Sequence, residues 1–395
     1  MLAIKQGLFS FRAWSLVHSD VAFALGATLF LRLWLAIWGI VVIIGNGSPI
    51  VPSPPTMYHG LARVPDQGPW LLLAPWQRWD AIWYLRIAEF GYSSTDPSAS
   101  FFPLFPLVLR IGTVFVQDYL AAALLISTIA TFAGFLLFYR LCADLFDDAT
   151  AQRAVLYWAF FPTSFFLLAA YAESLLAATA LAAFYFIRRG RWELASIAAA
   201  ATTLSRPIGF LITVPLLIEA WRMRKQPLVG VPTAMVAIAL GAWMLYLQIN
   251  FNDALLWMHA QAAWQRIFVI PGQMILWTVQ YMLNQEGAVA NNLVDLIITV
   301  ITVGAILAAI RKIPFSFSAY GLFLIGVPLL SFMQGSDYSI APMASTARRA
   351  MVAFPAFIAL ALQWRGKWKE PIWLGVSATT QVVLFTVFVK WQWVD

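Results

Sequence analysis

The feature that most constrains this chain is the length and number of its apolar runs. Of 395 residues, 62% are hydrophobic and only 11% are charged, whereas an ordinary soluble domain has about 25% charged residues. A soluble fold of this length could not hide so much apolar surface. The composition therefore predicts an integral membrane protein.

The apolar runs are continuous, without the strict alternation of barrel strands. Unpaired backbone groups in hydrocarbon are costly, so continuous runs predict helices. Since a spanning helix needs ~20 residues, the runs predict an all-α polytopic membrane protein with about ten to twelve crossings. We expect one transmembrane domain over residues 1–395. Lys5 and Arg12 precede the run 21–44, which we interpret as a first span with its N-terminus inside.

The net charge of +7 comes from short basic clusters between apolar runs. This placement is typical of cytoplasmic loops and argues against nucleic acid as a partner. The clusters are Arg188, Arg189 and Arg191; Arg222, Arg224 and Lys225; Arg311 and Lys312; and Arg365, Lys367 and Lys369.

Both loops that flank residues 193–218 are basic, so one uninterrupted crossing would place one of them outside. The break at Ser205-Arg206-Pro207 instead predicts a re-entrant pair of short helices. The number of crossings in residues 101–187 stays open.

Residues 45–100 form the longest polar stretch, rich in proline, and we expect an outward-facing loop with short helical pieces. Its last part reads QRWDAIWYLRIAEFGY, residues 77–92. Helical spacing gathers apolar residues near one face and predicts an interfacial helix with its aromatic side in lipid. Those residues are Trp76, Trp79, Trp83, Ile87 and Phe90.

Asp80 lies in this segment, at the expected membrane surface. A carboxylate there could act as a general base on a substrate whose tail remains in the bilayer. The alternative is that Asp80 caps the helix or pairs with Arg78 or Arg86.

Four further charged residues lie in apolar surroundings. Glu173, in FFPTSFFLLAAYAESLL, is either functional or a span-end carboxylate that faces water. Arg206, in TTLSRPIGF, either lines an anionic cavity or extends to the headgroups. Arg348 and Arg349, in MASTARRAMVAFPAF, either hold a phosphate or bind anionic headgroups non-specifically.

Several other chemistries have no support in the sequence. The single Cys142 and three scattered histidines give no disulfide framework and no metal-ligand spacing. The motifs GxxxxGK[ST], GxSxG and HExxH are also absent.

Five segments together resemble the PIG-V type, the second GPI mannosyltransferase family within the GT-C class of membrane glycosyltransferases. They are WDAIWYLRIAEFGY, FFPLFP, FFPTSFFLLAAYAESL, RRGRWELASIAAAATTLSRPIGF and STARRAMVAFPAF. The resemblance implies a GT-C-type helical bundle with a large first outer loop that contains interfacial helices.

The resemblance also implies an activity: inverting transfer of a hexose, typically mannose, from a polyprenyl-phosphate donor to a lipid or glycan acceptor. It assigns Asp80 as base and Arg206 and Arg348 as phosphate ligands, with no metal and no cofactor. Residues expected to shape the acceptor pocket or support the base are Arg78, Tyr84, Tyr171 and Glu173. The short loops suit a bacterial homologue in the inner membrane, with its active site facing outward among membrane lipids.

Two other classes of function compete with this interpretation. A transporter or flippase of lipid-linked sugars would need polar residues along several spans, and usually an internal repeat. A non-catalytic membrane subunit would keep the family shape without the base. The concentration of charge at span ends and in the first loop favours the enzyme.

Overall fold

A computed structural model describes residues 19–52, 58–225, 228–264, 266–284, 289–333, 342–343, 345–392 and 394. Lys5 and Arg12 lie outside these residues. The first eight helices are α1 Ser19–Gly45, α2 Asp80–Phe90, α3 Leu104–Gly112, α4 Tyr119–Leu145, α5 Asp148–Ala159, α6 Glu173–Arg188, α7 Trp192–Ser205 and α8 Thr213–Arg222. The others are α9 Val231–Phe251, α10 Leu256–His259, α11 Gln273–Leu283, α12 Val289–Ala308, α13 Phe315–Gly326, α14 Thr346–Val352, α15 Pro355–Gln363 and α16 Lys369–Val389.

Short 3-10 helices and one small ribbon complete the described structure. The 3-10 helices are Gly68–Leu72, Ala74–Trp76, Pro97–Ser100, Ser164–Leu167, Pro207–Ile212, Ala260–Trp264 and Pro328–Leu330. The ribbon pairs β1 Arg266–Phe268 antiparallel with β2 Ser331–Met333.

Within the described residues, five helices are long and apolar enough to cross a membrane. They are α1, α4, α9, residues Ala290–Ala308 of α12, and α16. The predicted all-α polytopic membrane protein is therefore confirmed. The figure of ten to twelve crossings stays a prediction.

Helices α7 and α8 are each shorter than a span, and the chain reverses direction between them. Helix α7 ends at Ser205 because Arg206 is extended, with φ −154° and ψ 156°, ahead of Pro207. The 3-10 turn that follows leads into α8, which runs back toward the end from which α7 came.

Both basic clusters that flank residues 193–218 lie at the same end of the bundle. Arg188, at the end of α6, and Arg222, at the end of α8, place Nη1 atoms 3.8 and 3.9 Å from the buried carboxylate of Glu219. The predicted break and return at Ser205-Arg206-Pro207 is thereby confirmed. We call this end of the bundle, marked by Arg188, Arg222 and Glu219, the basic end.

The first loop lies at the opposite end, against the end of α16. Arg78 Nε donates to the carbonyl of Val389 at 2.8 Å, and the Tyr58 ring packs edge-on against Trp391 at 5.6 Å. Gln77 ties the loop to itself by bonding the backbone at Ala62 and Val64, each at 2.8 Å. These contacts hold the first loop in a fixed position at this end of the bundle.

The expectation that the aromatic side of α2 and the turn before it lies in lipid is wrong for two of its residues. Trp76 is buried against Phe385, with ring centroids 5.0 Å apart, and Ile87 is buried as well. Phe90 is exposed. Helical spacing of apolar residues does not distinguish a face packed on protein from one facing lipid. Here Trp76 packs on Phe385 of α16, and α2 packs on α3 and α4.

Candidate active site

Four charged side chains from distant parts of the chain meet near the first loop. Asp80 Oδ2 lies 2.6 Å from Arg348 Nη2. Arg348 Nε pairs with Glu173 Oε1, and Arg206 Nη1 pairs with the same oxygen. We call these four residues the charged cluster. Its two carboxylates and two guanidinium groups balance in charge.

The ends of short helices bring these residues together. Asp80 and Glu173 are the first residues of α2 and α6, where the positive end of the helix dipole favours a carboxylate. Arg206 directly follows the last residue of α7, which packs beside α6. Arg348 lies in the first turn of α14.

The backbone is strained just before two of these helices. Trp79, ahead of Asp80, has φ 52°, and Ser345, ahead of α14, has φ 66°. Non-glycine residues in such conformations cost about 1–3 kcal/mol and persist only where surrounding packing holds them. The placement of Asp80 and Arg348 is therefore determined by packing beyond their own helices.

The cluster has a buried middle and two accessible ends. The Glu173 and Arg348 side chains are 2% and 7% exposed, whereas those of Asp80 and Arg206 are 21% and 24% exposed. Asp80 and Arg206 are thus the solvent-accessible members of the cluster, and Arg348 and Glu173 link them through buried ion pairs.

Two aromatic rings pack against the Arg348 guanidinium group. Its Cζ lies 4.7 Å from the Tyr171 ring centroid and 5.0 Å from that of Phe166. Tyr171 also donates its hydroxyl hydrogen bond to the carbonyl of Arg78 at 3.1 Å. Tyr171, predicted as a pocket residue, thus links the cluster to the first loop.

Tyr84, the next predicted pocket residue, is buried beside the cluster. Its ring packs edge-on against Phe101 and Phe105. Burial raises the pKa of the Tyr84 hydroxyl above its ordinary value, so this group stays protonated near neutral pH and is not a candidate base.

The arginines near Asp80 in sequence do not pair with it. Arg78 directs its guanidinium group to the carbonyls of Val389, Ala74 and Gln77. Arg86 pairs with Asp96 at 2.7 Å. The partner of Asp80 is Arg348, from the far end of the sequence. Arg78 thus anchors the loop, and its guanidinium group faces backbone carbonyls.

Arg32, which lies within the first apolar run, was not among the predicted site residues. Its guanidinium donates to Thr128 Oγ1 at 2.6 and 3.1 Å, to the Leu124 carbonyl at 3.0 Å and to the Leu168 carbonyl at 2.8 Å. It also lies 5.1 Å from the Trp76 ring centroid. Arg32 therefore connects the segment before Glu173 with the turn before Asp80. An arginine inside a span is the signal that could have found it.

Asp295 was missed as well. This buried acid of α12 accepts the backbone N–H of Ala347 at 2.6 Å, one residue before Arg348. It fixes the first turn of α14 and so the position of Arg348. A lone carboxylate in the run 291–310 was the available signal.

In the part of the chain that the structure describes, no group of three or more histidine, cysteine or acidic residues is placed to hold a metal ion. The expected absence of a metal requirement stays a prediction.

A known protein family matches the part of the chain that contains three of the four cluster residues. Residues 53–224 match the family model for mannosyltransferase (PIG-V). The resemblance to the PIG-V family is confirmed. Asp80, Glu173 and Arg206 lie within the matched residues, whereas Arg348 comes from beyond them.

Two mammalian relatives match parts of the chain. GPI alpha-1,6-mannosyltransferase 2 of Rattus norvegicus is 34% identical over 131 residues, which are 30% of this chain and 26% of that protein. The enzyme of the same name from Cricetulus griseus is 28% identical over 218 residues, or 50% of this chain and 43% of that protein. The matches thus span less than half the length of either relative.

A solved structure gives a weaker likeness. The crystal structure of the Archaeoglobus fulgidus oligosaccharyltransferase superposes with a TM-score of 0.40 and 12% identity, and covers 92% of this chain and 55% of that one. A score this low supports no conclusion about fold or mechanism.

Proposed function

We propose that the protein is a membrane glycosyltransferase that transfers a hexose, mannose in the first instance, from a polyprenyl-phosphate donor to a lipid or glycan acceptor. The observation that carries this proposal is the charged cluster, with an accessible carboxylate at one end and an accessible guanidinium group at the other. The family match over residues 53–224 supports the choice of reaction. The match to GPI mannosyltransferases supports the choice of mannose.

Asp80 is the proposed general base. It accepts the proton of the acceptor hydroxyl while the hydroxyl oxygen forms a bond to the anomeric carbon of the sugar. The bond from that carbon to the phosphate oxygen breaks on the opposite face, and its electron pair leaves with the polyprenyl phosphate. The configuration at the anomeric carbon is therefore inverted.

Arg206 is the proposed ligand of the donor phosphate. It is the more exposed of the two cluster arginines, and its ion pair with Glu173 uses one nitrogen, which leaves further guanidinium donors available. Positive charge near the departing phosphate stabilises the charge that develops on it in the transition state.

Arg348 is better suited to hold the carboxylates than to bind phosphate. Two of its nitrogens already engage Asp80 and Glu173, and its side chain is nearly buried. It holds the Asp80 carboxylate in position through this ion pair. Glu173 in turn holds both arginines, and its buried Oε2 has no hydrogen-bond partner among the described residues, so a substrate hydroxyl could satisfy it.

The proposed sidedness is supported by the positions of the basic clusters. The charged cluster lies away from the basic end, which the positive-inside rule assigns to the cytoplasm. We therefore place the reaction at the outer face of a cell membrane, in a bacterial inner membrane if the chain is bacterial.

Reconstituted protein tests the proposal. Proteoliposomes would receive radiolabelled polyprenyl-phosphate mannose or polyprenyl-phosphate glucose with extracted membrane lipids and glycans as acceptors, with and without a chelator. We expect label in a new product from the mannose donor, unaffected by chelation. No transfer from either donor would contradict the proposal, and movement of intact donor across the bilayer would favour the flippase instead.

A further inference from the structure

An apolar cleft opens between three helices of the C-terminal half. Its volume is about 380 Å³. Its walls include Ile301 and Gly304 of α12, Leu360 of α15, and Ile372, Trp373 and Val376 of α16. Gly304 keeps the cleft open, since a Cβ atom added there would meet nothing within 4 Å.

The cleft offers little to a hydrophilic ligand. Gln363 also lines it, but its side-chain amide already donates to the Ala305 carbonyl at 2.8 Å. The remaining walls are aliphatic or aromatic. The shape and chemistry therefore fit a hydrocarbon chain.

The cleft is separate from the charged cluster. Helix α12 supports that cluster through Asp295, and Gly304 lies nine residues further on. At 1.5 Å per residue this is about 14 Å along the helix axis. The cleft thus lies toward the other end of α12, where the basic residues Arg311 and Lys312 follow.

Basic residues flank, in sequence, the segments that line the cleft, and Arg365 directly follows the lining residue Trp364; we call these residues the basic rim. Five exposed cations belong to it: Arg311 and Lys312 follow α12, Arg365 and Lys367 precede α16, and Lys369 is the first residue of α16. Among the described residues, no carboxylate lies within ion-pair distance of any of these five cations. The neighbouring Glu370 pairs instead with Arg153, at 3.0 Å. Trp364 and Trp368 are exposed beside them, as expected for aromatics at headgroup depth.

We propose that this cleft binds one anionic phospholipid, with an acyl chain between α12, α15 and α16 and its phosphate at the basic rim. The cleft residues Ile372 and Val376 lie one and two turns after Lys369, which is about 5–10 Å further along the axis of α16. Acyl chains begin at about this depth below the headgroups. Basic residues next to spanning helices attract anionic lipids, with a contribution near the membrane surface of about 1 kcal/mol each. A zwitterionic lipid would fill the cleft without neutralising this charge.

Native mass spectrometry of the purified full-length chain in detergent tests the proposal. The protein would be titrated with dioleoyl phosphatidylglycerol and, separately, with dioleoyl phosphatidylcholine. We expect wild type to retain one phosphatidylglycerol more tightly than any phosphatidylcholine. Gly304→Leu fills the cleft and should remove that site. Gly241→Leu, at an exposed glycine of α9 that also has open space around it, should leave it intact.

The headgroup contribution has its own pair of variants. Arg365→Gln/Lys367→Gln should weaken phosphatidylglycerol binding by about 5-fold for each charge removed and leave phosphatidylcholine unchanged. Arg224→Gln/Lys225→Gln, at another exposed basic loop of the same end, should change neither.

Three outcomes would overturn the proposal. They are equal retention of the two lipids, the same binding by Gly304→Leu as by Gly241→Leu, and displacement of phosphatidylglycerol from the cleft by a polyprenyl phosphate. The last result would assign the cleft to the carrier lipid instead. Sugar transfer is not measured, so the result is independent of the proposed function.

Discussion

Asp80 and Arg348 lie 268 residues apart in the chain, and Asp80 Oδ2 and Arg348 Nη2 form an ion pair of 2.6 Å. This contact closes the first loop against the short helix α14 near the C-terminal end. Because Arg348 also pairs with Glu173, one guanidinium group fixes the position of two carboxylates. The proposed base therefore depends on a residue outside the segment that matches the family model.

Removing Arg348 should impair both activity and stability. In Arg348→Gln, Glu173 and Asp80 lose a charged partner, and breaking a buried ion pair costs about 3–5 kcal/mol. We expect a lower thermal midpoint in detergent and a large loss of sugar transfer. Arg348→Lys should recover little, since a lysine cannot bridge two carboxylates with a planar fork. Arg110→Gln, an exposed arginine of α3, is the matched control, and equal effects of the two glutamine variants would contradict this role.

Replacing Arg206 should weaken donor binding more than replacing the proposed base, Asp80, does. If Arg206 holds the donor phosphate, Arg206→Gln raises the KM for the polyprenyl-phosphate sugar, and Arg206→Lys recovers part of it because the charge remains. The measurement is initial rate against donor concentration at saturating acceptor. A normal donor KM in Arg206→Gln would remove Arg206 from phosphate binding.

Gly209 should be intolerant of a side chain. It lies in the 3-10 turn that follows Arg206, and a Cβ atom there would overlap the carbonyl oxygen of Thr202. Gly209→Ala should destabilise the protein by about 1–3 kcal/mol, as overpacking does, and should move Arg206 away from Glu173. Thermal unfolding in detergent measures the first effect and donor KM the second. Gly241→Ala, with open space around it, should be neutral or slightly stabilising.

Replacing Arg32 should lower both the stability of the protein and its rate of sugar transfer, although Arg32 lies outside the charged cluster. Arg32→Met retains the apolar stem but leaves the Leu168 carbonyl without this donor, and an unsatisfied buried group costs about 1–3 kcal/mol. We expect a lower thermal midpoint and reduced transfer, with partial recovery in Arg32→Lys. If Arg32→Met unfolds at the wild-type temperature and keeps full activity, Arg32 supports neither the segment before Glu173 nor the turn before Asp80.

Much of the architecture could be predicted from local sequence. Apolar run length indicates helices, and the basic clusters at 188–191 and 222–225 indicate a reversal at Arg206, because charge placement relative to the membrane is a property of short segments. Whether the aromatic turn at Trp76 faces lipid or α16 could not be predicted. Both environments select the same apolar spacing, and only the tertiary structure distinguishes them.

The members of the charged cluster could be identified singly, but their pairing could not. Asp80, Glu173, Arg206 and Arg348 each stand out as a charge in apolar surroundings. Their contacts join segments separated by up to 268 residues, which periodicity and spacing do not encode. Arg78 was expected to shape the acceptor pocket or support the base, whereas its guanidinium group donates to the carbonyls of Val389, Ala74 and Gln77. The contact with Val389, 311 residues away, is not encoded by local sequence.

The central claim is that Asp80 is the base of a sugar-transfer reaction, and the most direct measurement is the initial rate of transfer from polyprenyl-phosphate mannose by Asp80→Asn. Glu89→Gln, which neutralises an exposed carboxylate of the same helix, is the control. We predict that Asp80→Asn folds and binds donor but transfers about 10²–10⁴-fold more slowly, the usual contribution of a positioned base, while Glu89→Gln transfers at the wild-type rate. A wild-type rate in Asp80→Asn would contradict the account.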